Sequence, residues 1–394
     1  MRFSNPGEAA ARLAPLLDRP VAPTRTDLAP GLVFQAEPLH ANGTFTNSYR
    51  LSWRGPARAR IFVTEPPVSA REFAQRHGNT ATTTAGFFFL ADRCRFRPRV
   101  LSLNLAIQDG RVLSLPVADQ DALISQNGVL TVVNVPAAGE LSLDKNPLTW
   151  AGSRTTTEAG CYAYGNANAV IRHEADEQTG KIRVFQEESR FTPETRPGWS
   201  DLGFRNNEAV AKADNGRLDI FEYDLVLRCP QRIARVGARL EVHTIGGLIP
   251  RKSLQGAISV GPALSCPDVY KHPLNEDRSL GSFPLLRERP STRLVFAETA
   301  DGWQHLCLFD GRPGSPTFPG LTLGETIAMV HKLGTVTNGC LLDSGHTSKL
   351  NVRLGNTLRS FGNRHYLRWP GPHEAHYTWT PDLGRPAASL IALD

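Results

Sequence analysis

The sequence predicts an α+β protein, rich in β-structure, with mixed sheets and only a few helices. Three observations carry this reading. Apolar or alternating runs are joined by dipeptides that tolerate positive φ; two segments open with a hydroxyl-x-x-Glu helix start; and the stretch around 140–210 has many turn residues with little helical period.

In chain order, MRFSNPGEAAARLAPLLDRP reads as a short amphipathic helix. Asn5 is its cap, Pro6 suits the first helical position, and Glu8 is placed to reach back to the cap amide. Glu8 and Arg12 interrupt its apolar stretch and no small-residue cleavage site follows, so it does not read as an export signal and the cytoplasm is the expected compartment. SAREFAQRHG predicts a helix capped by Ser69, with Glu72 reaching back and Gly78 closing it; NTATTT after it reads as a strand ending in AGFFF. VLSLNLAIQDGRVLSLPVA predicts a hairpin turning at Asp109-Gly110, so Asp109 and Arg111 read as turn residues. KADNGRLDIFEYDLVL predicts another at Asn215-Gly216, and STRLVFAETADGWQHLCLF a third near Asp301-Gly302. TLGETIAMVHKLG repeats the helix start with Thr322 and Glu325, closes at Gly334, and feeds the strand TVTNGCLL, which ends in DSGHTS. Glu325 is thereby explained as a capping carboxylate. Two helix-then-strand units predict that both loops lie at one sheet edge, where open mixed or parallel sheets bind ligands. The expectation is one domain over 1–394, with an insertion around 140–210.

Composition narrows the function. The chain has 394 residues and a net charge of +6, from 44 basic and 38 acidic residues, and most of the basic ones are arginine. There is no basic run and no nucleic-acid motif, so the expected partner is an anionic small molecule rather than a nucleic acid polymer or a membrane. No segment approaches the roughly 18–20 uninterrupted apolar residues of a membrane helix. The six cysteines are scattered without zinc or redox spacing, and Cys307 and Cys340 sit in apolar runs, which predicts buried thiols. In PHEAHYTW, His373, Glu374 and His376 are metal-capable but lack the His-Glu-x-x-His spacing. No cofactor is required by the sequence, a divalent cation is compatible with it, and the oligomeric state is open.

Asp343 follows an apolar run and precedes a polar loop, a placement suited to a base, a nucleophile or a metal ligand; the alternative is a loop aspartate accepting amides from Gly345 onward. Asp310 and Arg312 follow the strand WQHLCLF and precede PGSPTFPG, so they are not hairpin residues. Asp310 is the candidate second carboxylate, and Arg312 a bidentate grip for an anionic oxygen. His346 is a candidate acid or base near neutral pH, or else a hydrogen-bonded loop residue.

The order of these pieces resembles the phosphodiester glycosidase family. Thr84-Ala85-Gly86-Phe87-Phe88 is similar to its early Asn-Gly-Gly-Phe-Phe motif, and ISVGPAL to its apolar segment ending in Gly-Pro. Asp310-Gly311-Arg312, PGSPTFPG, Leu321 to Glu325, and Leu342 to Ser348 resemble its later motifs in succession, and GRPAASLIAL its terminal strand. The departures are Thr84 and Leu341 where the family has asparagine, Ser344 and His346 where it has glycines, and Arg293 one or two positions late. Glycine at the last two sites is expected to serve positive φ or close approach to a ligand, so a histidine there is expected to reshape the loop or fill the pocket.

The resemblance implies a hydrolase cleaving a glycosyl-phosphate bond in a small sugar-phosphate or nucleotide-like substrate, with Asp343, Asp310 and His346 catalytic. It implies substrate contacts from Arg312, Arg293, Thr84, Gly86, Phe87, Ser344, Gly345, Thr347 and Ser348. A glycosidase normally uses two carboxyl groups about 5 Å or about 6.5–9.5 Å apart. A phosphate leaves more easily than an alkoxide, so cationic clamps gain weight over the general acid. Phe87 and Phe88 read as core more readily than as a stacking platform. The alternatives are a transferase or lyase on the same fold, or a catalytically silent binder of an anionic small molecule.

Overall fold

The computed structural model describes residues 1–41, 43–88, 102–168, 170–175, 182–187, 190–264, 289–368 and 375–394. Four large sheets dominate it, and the expected β-rich α+β class is what the chain adopts. The first sheet has six strands in the order Thr24–Ala29, Leu32–Ala41, Thr44–Trp53, Gln304–Asp310, Arg293–Thr299 and Val336–Leu341. The second has five, ordered Thr357–Phe361, Leu350–Leu354, Ala81–Thr84, Ala387–Leu393 and Ala59–Val68. The third also has five, with Gln120–Gln126 and Leu254–Ser259 at its centre. The fourth has seven, drawn from 138–242, and is mixed because Asn146–Gly152 pairs in parallel with Cys161–Tyr164.

The third sheet is the middle layer. Along Gln120–Gln126, Leu123 joins a core shared with the first two sheets, whereas Ala122 and Ile124 join a second core shared with the seven-stranded sheet. Successive side chains of a strand point to opposite faces, so a strand between two cores must be apolar on both. Arg293–Thr299 follows the same rule: Leu294 and Phe296 face the first core, and Val295 and Ala297 face a helix.

Three α-helices cover the described sheets. Helix α1 spans Pro6–Leu17, α2 Ala70–His77 and α3 Leu323–His331. The capping boxes at Ser69/Glu72 and Thr322/Glu325 are both formed, and Gly78 closes α2 at φ 74°. Asn5 accepts from the Glu8 amide as expected, but Glu8 reaches past the cap to the amide and hydroxyl of Ser4. Phe3, Ala9 and Leu13 form a small cluster with Leu17, Leu367, Tyr377 and Trp379, apart from the large cores.

The hairpins at Asp109-Gly110 and Asp301-Gly302 are present, with Gln108 opposite Arg111 and Glu298 opposite Gln304. That at Asn215-Gly216 is not. The chain does turn there, with Gly216 at φ 78°, but Leu225–Pro230 pairs with Trp199–Arg205 and Cys161–Tyr164 instead of with Glu208–Ala213. Turn chemistry sets a local bend, whereas strand pairing is settled by which faces must be buried. The two helix-fed strands, Ala81–Thr84 and Val336–Leu341, also lie in different sheets, so their loops meet across the gap between sheets and not along one edge.

Candidate active site

The loops after those two strands touch directly: the Asp343 amide donates to the Ala85 carbonyl at 2.8 Å. Ala85 is itself held by the Ser389 carbonyl, and the Gly86 amide donates to the Ser389 hydroxyl at 3.0 Å, so the last strand of the chain braces the pair. The end of ISVGPAL, from Gly261 to Leu264, lies along the outer side of Val336–Leu341, with the Gly261 amide donating to the Leu341 carbonyl at 2.7 Å. A Cβ on Gly86 would stand 2.5 Å from the Ser259 carbonyl oxygen, which is why no side chain is accommodated there. Gly86→Ala is expected to cost about 1–3 kcal/mol in a urea unfolding titration, as overpacking against fixed backbone does; an unchanged midpoint would show the loop yields freely.

Ser344 has φ −119°, and His346 lies in the short helical turn Gly345–Thr347, outside the set of positive-φ residues. Only Gly345 takes positive φ, at 76°. Serine and histidine therefore replace glycine without strain, and the loop is not forced into a new shape by left-handed backbone. The Ser344 hydroxyl donates to the Leu342 carbonyl at 3.0 Å, the Ser348 hydroxyl to the Asp343 carbonyl at 3.4 Å, and the Gly345 amide to the Thr292 carbonyl at 2.9 Å. These bonds hold the loop's backbone, leaving its carboxylate to be aimed.

Asp343 keeps part of its surface in contact with solvent. Burial nevertheless pushes its pKa up to about 7, against the Thr347 hydroxyl, the Arg385 guanidinium and the Ser344 amide, which all favour the charged form. Such a carboxyl exchanges protons near neutral pH, as a general acid or base must.

Arg385 was not anticipated from the sequence. It is 9% exposed, its Nε has no hydrogen-bond partner, and its guanidinium carbon lies 5.5 Å from the ring centre of Tyr366. A buried guanidinium beside an acid that is only partly ionised near pH 7 is a cation open to a further anion. The available hint was its place in GRPAASLIAL, just before an apolar strand. Thr84 is buried with an unpartnered hydroxyl. Phe87 packs partly into two apolar clusters, and His346 is exposed.

The other expected residues sit differently. Asp310 is buried, and its carboxylate accepts from the amides of Gly311 at 3.0 Å and Asn363 at 2.8 Å and from the Thr292 hydroxyl at 3.3 Å. Burial raises its pKa against those bonds and the nearby charge of Lys349. Thr292 thus links Asp310 to the Asp343 loop, so the two motifs do converge, with Asp310 tying loops together. Lys349 donates to the carbonyls of Gly362 and Pro381, and burial pushes its pKa down to about 8. Arg293, 1% exposed, donates to the Leu321 carbonyl at 3.0 Å and the Arg289 carbonyl at 2.8 Å; burial pushes its pKa down to about 10. Arg312 closes its fork on Asp18.

Among the described residues no group of three or more His, Cys, Asp or Glu side chains gathers as a metal site, and His373 and Glu374 lie outside them. Cys161, Cys229, Cys307 and Cys340 are buried free thiols, while Cys94 and Cys266 lie outside the described residues. A cavity of about 790 Å³ beside Arg54 and Trp303 lies at the opposite end of Gln304–Asp310 from Asp310, and Arg54 stacks on that indole at 4.7 Å. No helix is long and apolar enough to cross a membrane among the described residues.

No family model matches the sequence, and no curated protein matches it. Solved structures do. A hypothetical protein from Synechocystis superposes with a TM-score of 0.58 at 15% identity, over 95% of this chain and 64% of that one. A putative exported protein from Burkholderia pseudomallei superposes with a TM-score of 0.51 at 16% identity, over 89% of this chain and 74% of that one. The catalytic domain of zebrafish N-acetylglucosamine-1-phosphodiester alpha-N-acetylglucosaminidase, auto-inhibited by its pro-peptide, reaches a TM-score of 0.41 at 10% identity, over 95% and 87% of the two chains. The first two likenesses show a shared fold and nothing of activity; the third superposes too loosely to carry an argument. The chain spans less than two thirds of the length of the Synechocystis protein.

Proposed function

We propose that the chain is a hydrolase that cleaves a glycosyl-phosphate bond in a small anionic substrate, a sugar phosphate or nucleotide-like compound. The observation that supports this reading is Asp343, whose pKa is raised to about 7, within electrostatic reach of the buried Arg385, whose Nε has no hydrogen-bond partner. In the reaction, a water oxygen bonds to the anomeric carbon and gives its proton to the Asp343 carboxylate. The carbon–oxygen bond to phosphate breaks, with its electron pair going to the phosphate oxygen, and Arg385 stabilises the charge that develops there. One working carboxylate suffices because a phosphate leaves without obligatory protonation, which agrees with Asp310 being held by amides. Thr347 orients Asp343, and the unpartnered Thr84 hydroxyl and exposed His346 are the expected sugar contacts. The cytoplasmic setting belongs to the same proposal.

Incubating the protein with a glycosyl phosphate in ¹⁸O-water tests the reaction. Heavy oxygen in the released sugar is expected. Heavy oxygen in phosphate, or a sugar product without it, would replace hydrolysis at the anomeric carbon with phosphate cleavage, transfer or elimination. A bound and unchanged substrate would favour a silent binder.

A further inference from the structure

Asp18 ends α1 with the wrong charge for that place. The carbonyl end of a helix is partially negative and repels an acid, and the last turn holds no basic residue to compensate. Pro15 inside α1 also removes one of its backbone bonds. The helix therefore does not explain the acid, but its surroundings do. Arg312 presents Nε to both carboxylate oxygens at 3.2 Å and bonds Oδ2 through Nη2 as well. The Ser315 hydroxyl donates to Oδ2 at 2.9 Å, and His365 Nε2 lies 3.0 Å from Oδ1. The Asp18 side chain is 8% exposed and that of His365 9%. Arg364 and Lys349 add positive charge felt at His365. Burial pushes the His365 pKa down to about 4 and neither ring nitrogen makes a hydrogen bond, so the grip comes from the guanidinium fork and the hydroxyl closing on two oxygens, a set that holds phosphate as well as carboxylate.

We propose that the Arg312–Ser315–His365 pocket is an anion site that the chain fills with its own Asp18, and that a small phosphate competes for it and releases the end of α1. The local construction suits such an exchange. The apolar contacts of α1 belong to a satellite cluster, so its last turn can lift without opening either large core. The Asn47 side chain fixes the Arg19 carbonyl at 3.0 Å and the Val21 amide at 2.9 Å, which sets the hinge between Asp18 and Arg19. Arg312 lies two residues after Asp310, which is tied through Thr292 to the Asp343 loop. It does not depend on the hydrolytic reading.

The test uses the full chain and inorganic phosphate, followed by titration calorimetry at fixed ionic strength. Asp18→Asn is expected to bind phosphate at least about tenfold more tightly than the parent, because removing one partner of an enclosed ion pair leaves the other uncompensated. Arg312→Gln in the same background should abolish the gain. A folded Asp18→Asn protein with no gain, or a gain that survives Arg312→Gln, overturns the proposal. Should Asp18→Asn fail to fold, amide exchange of the unaltered protein decides. Phosphate, against chloride at equal ionic strength, should speed exchange over residues 9–18; unchanged exchange overturns the proposal.

Discussion

Asparagine in place of Asp343 is expected to lower turnover of a glycosyl phosphate by about 10²–10⁴-fold, the usual worth of a placed acid or base, while making the protein more stable above neutral pH. The second half follows from linkage. The unfolded aspartate titrates near about pH 4, and the folded one at about 7. Below the lower value both states are neutral and the residue costs nothing. As pH rises between the two values the unfolded chain ionises first, so stability falls, and above the folded value the loss is complete at on the order of a few kcal/mol. Asparagine carries no such loss. Thermal midpoints of the two proteins should coincide at about pH 4 and separate in favour of the variant by about pH 8. Separation in the other direction would mean that the carboxylate serves the fold.

Glutamine in place of Arg385 should cut kcat/KM by about 10²–10³-fold if this guanidinium stabilises developing phosphate charge. It should also move a pH profile. Arg385 holds the Asp343 pKa below what burial alone would set, so its loss favours the neutral carboxyl and shifts the corresponding limb to higher pH. Lysine at the same place restores charge but not the planar fork, so it should return the limb towards its original pH and leave much of the rate loss. A limb that stays fixed in the glutamine variant would separate Arg385 from Asp343.

These two residues also show where the sequence stops being informative. Asp343 is legible because it stands at a change of pattern, an apolar strand giving way to a polar loop. Arg385 has no such mark, and only folding brings its charge beside that loop. Arg312 reads as an anion grip from its motif, yet it meets Asp18, 294 residues away in the chain. Asn215-Gly216 carries the same turn chemistry as Asp109-Gly110, but the strand after it finds other partners.

From the sequence alone came the β-rich α+β class, the starts of the three described helices, two of the three expected hairpins and the loop that holds Asp343. Each of those is settled by groups within a few residues of one another: a hydroxyl and an amide at a helix start, or a backbone that must turn through positive φ. Only the tertiary structure decided which strands face two cores and which charges meet. Burial and ion pairing depend on every layer packed around a group, and in a low-dielectric surrounding that packing sets whether a carboxylate keeps its proton.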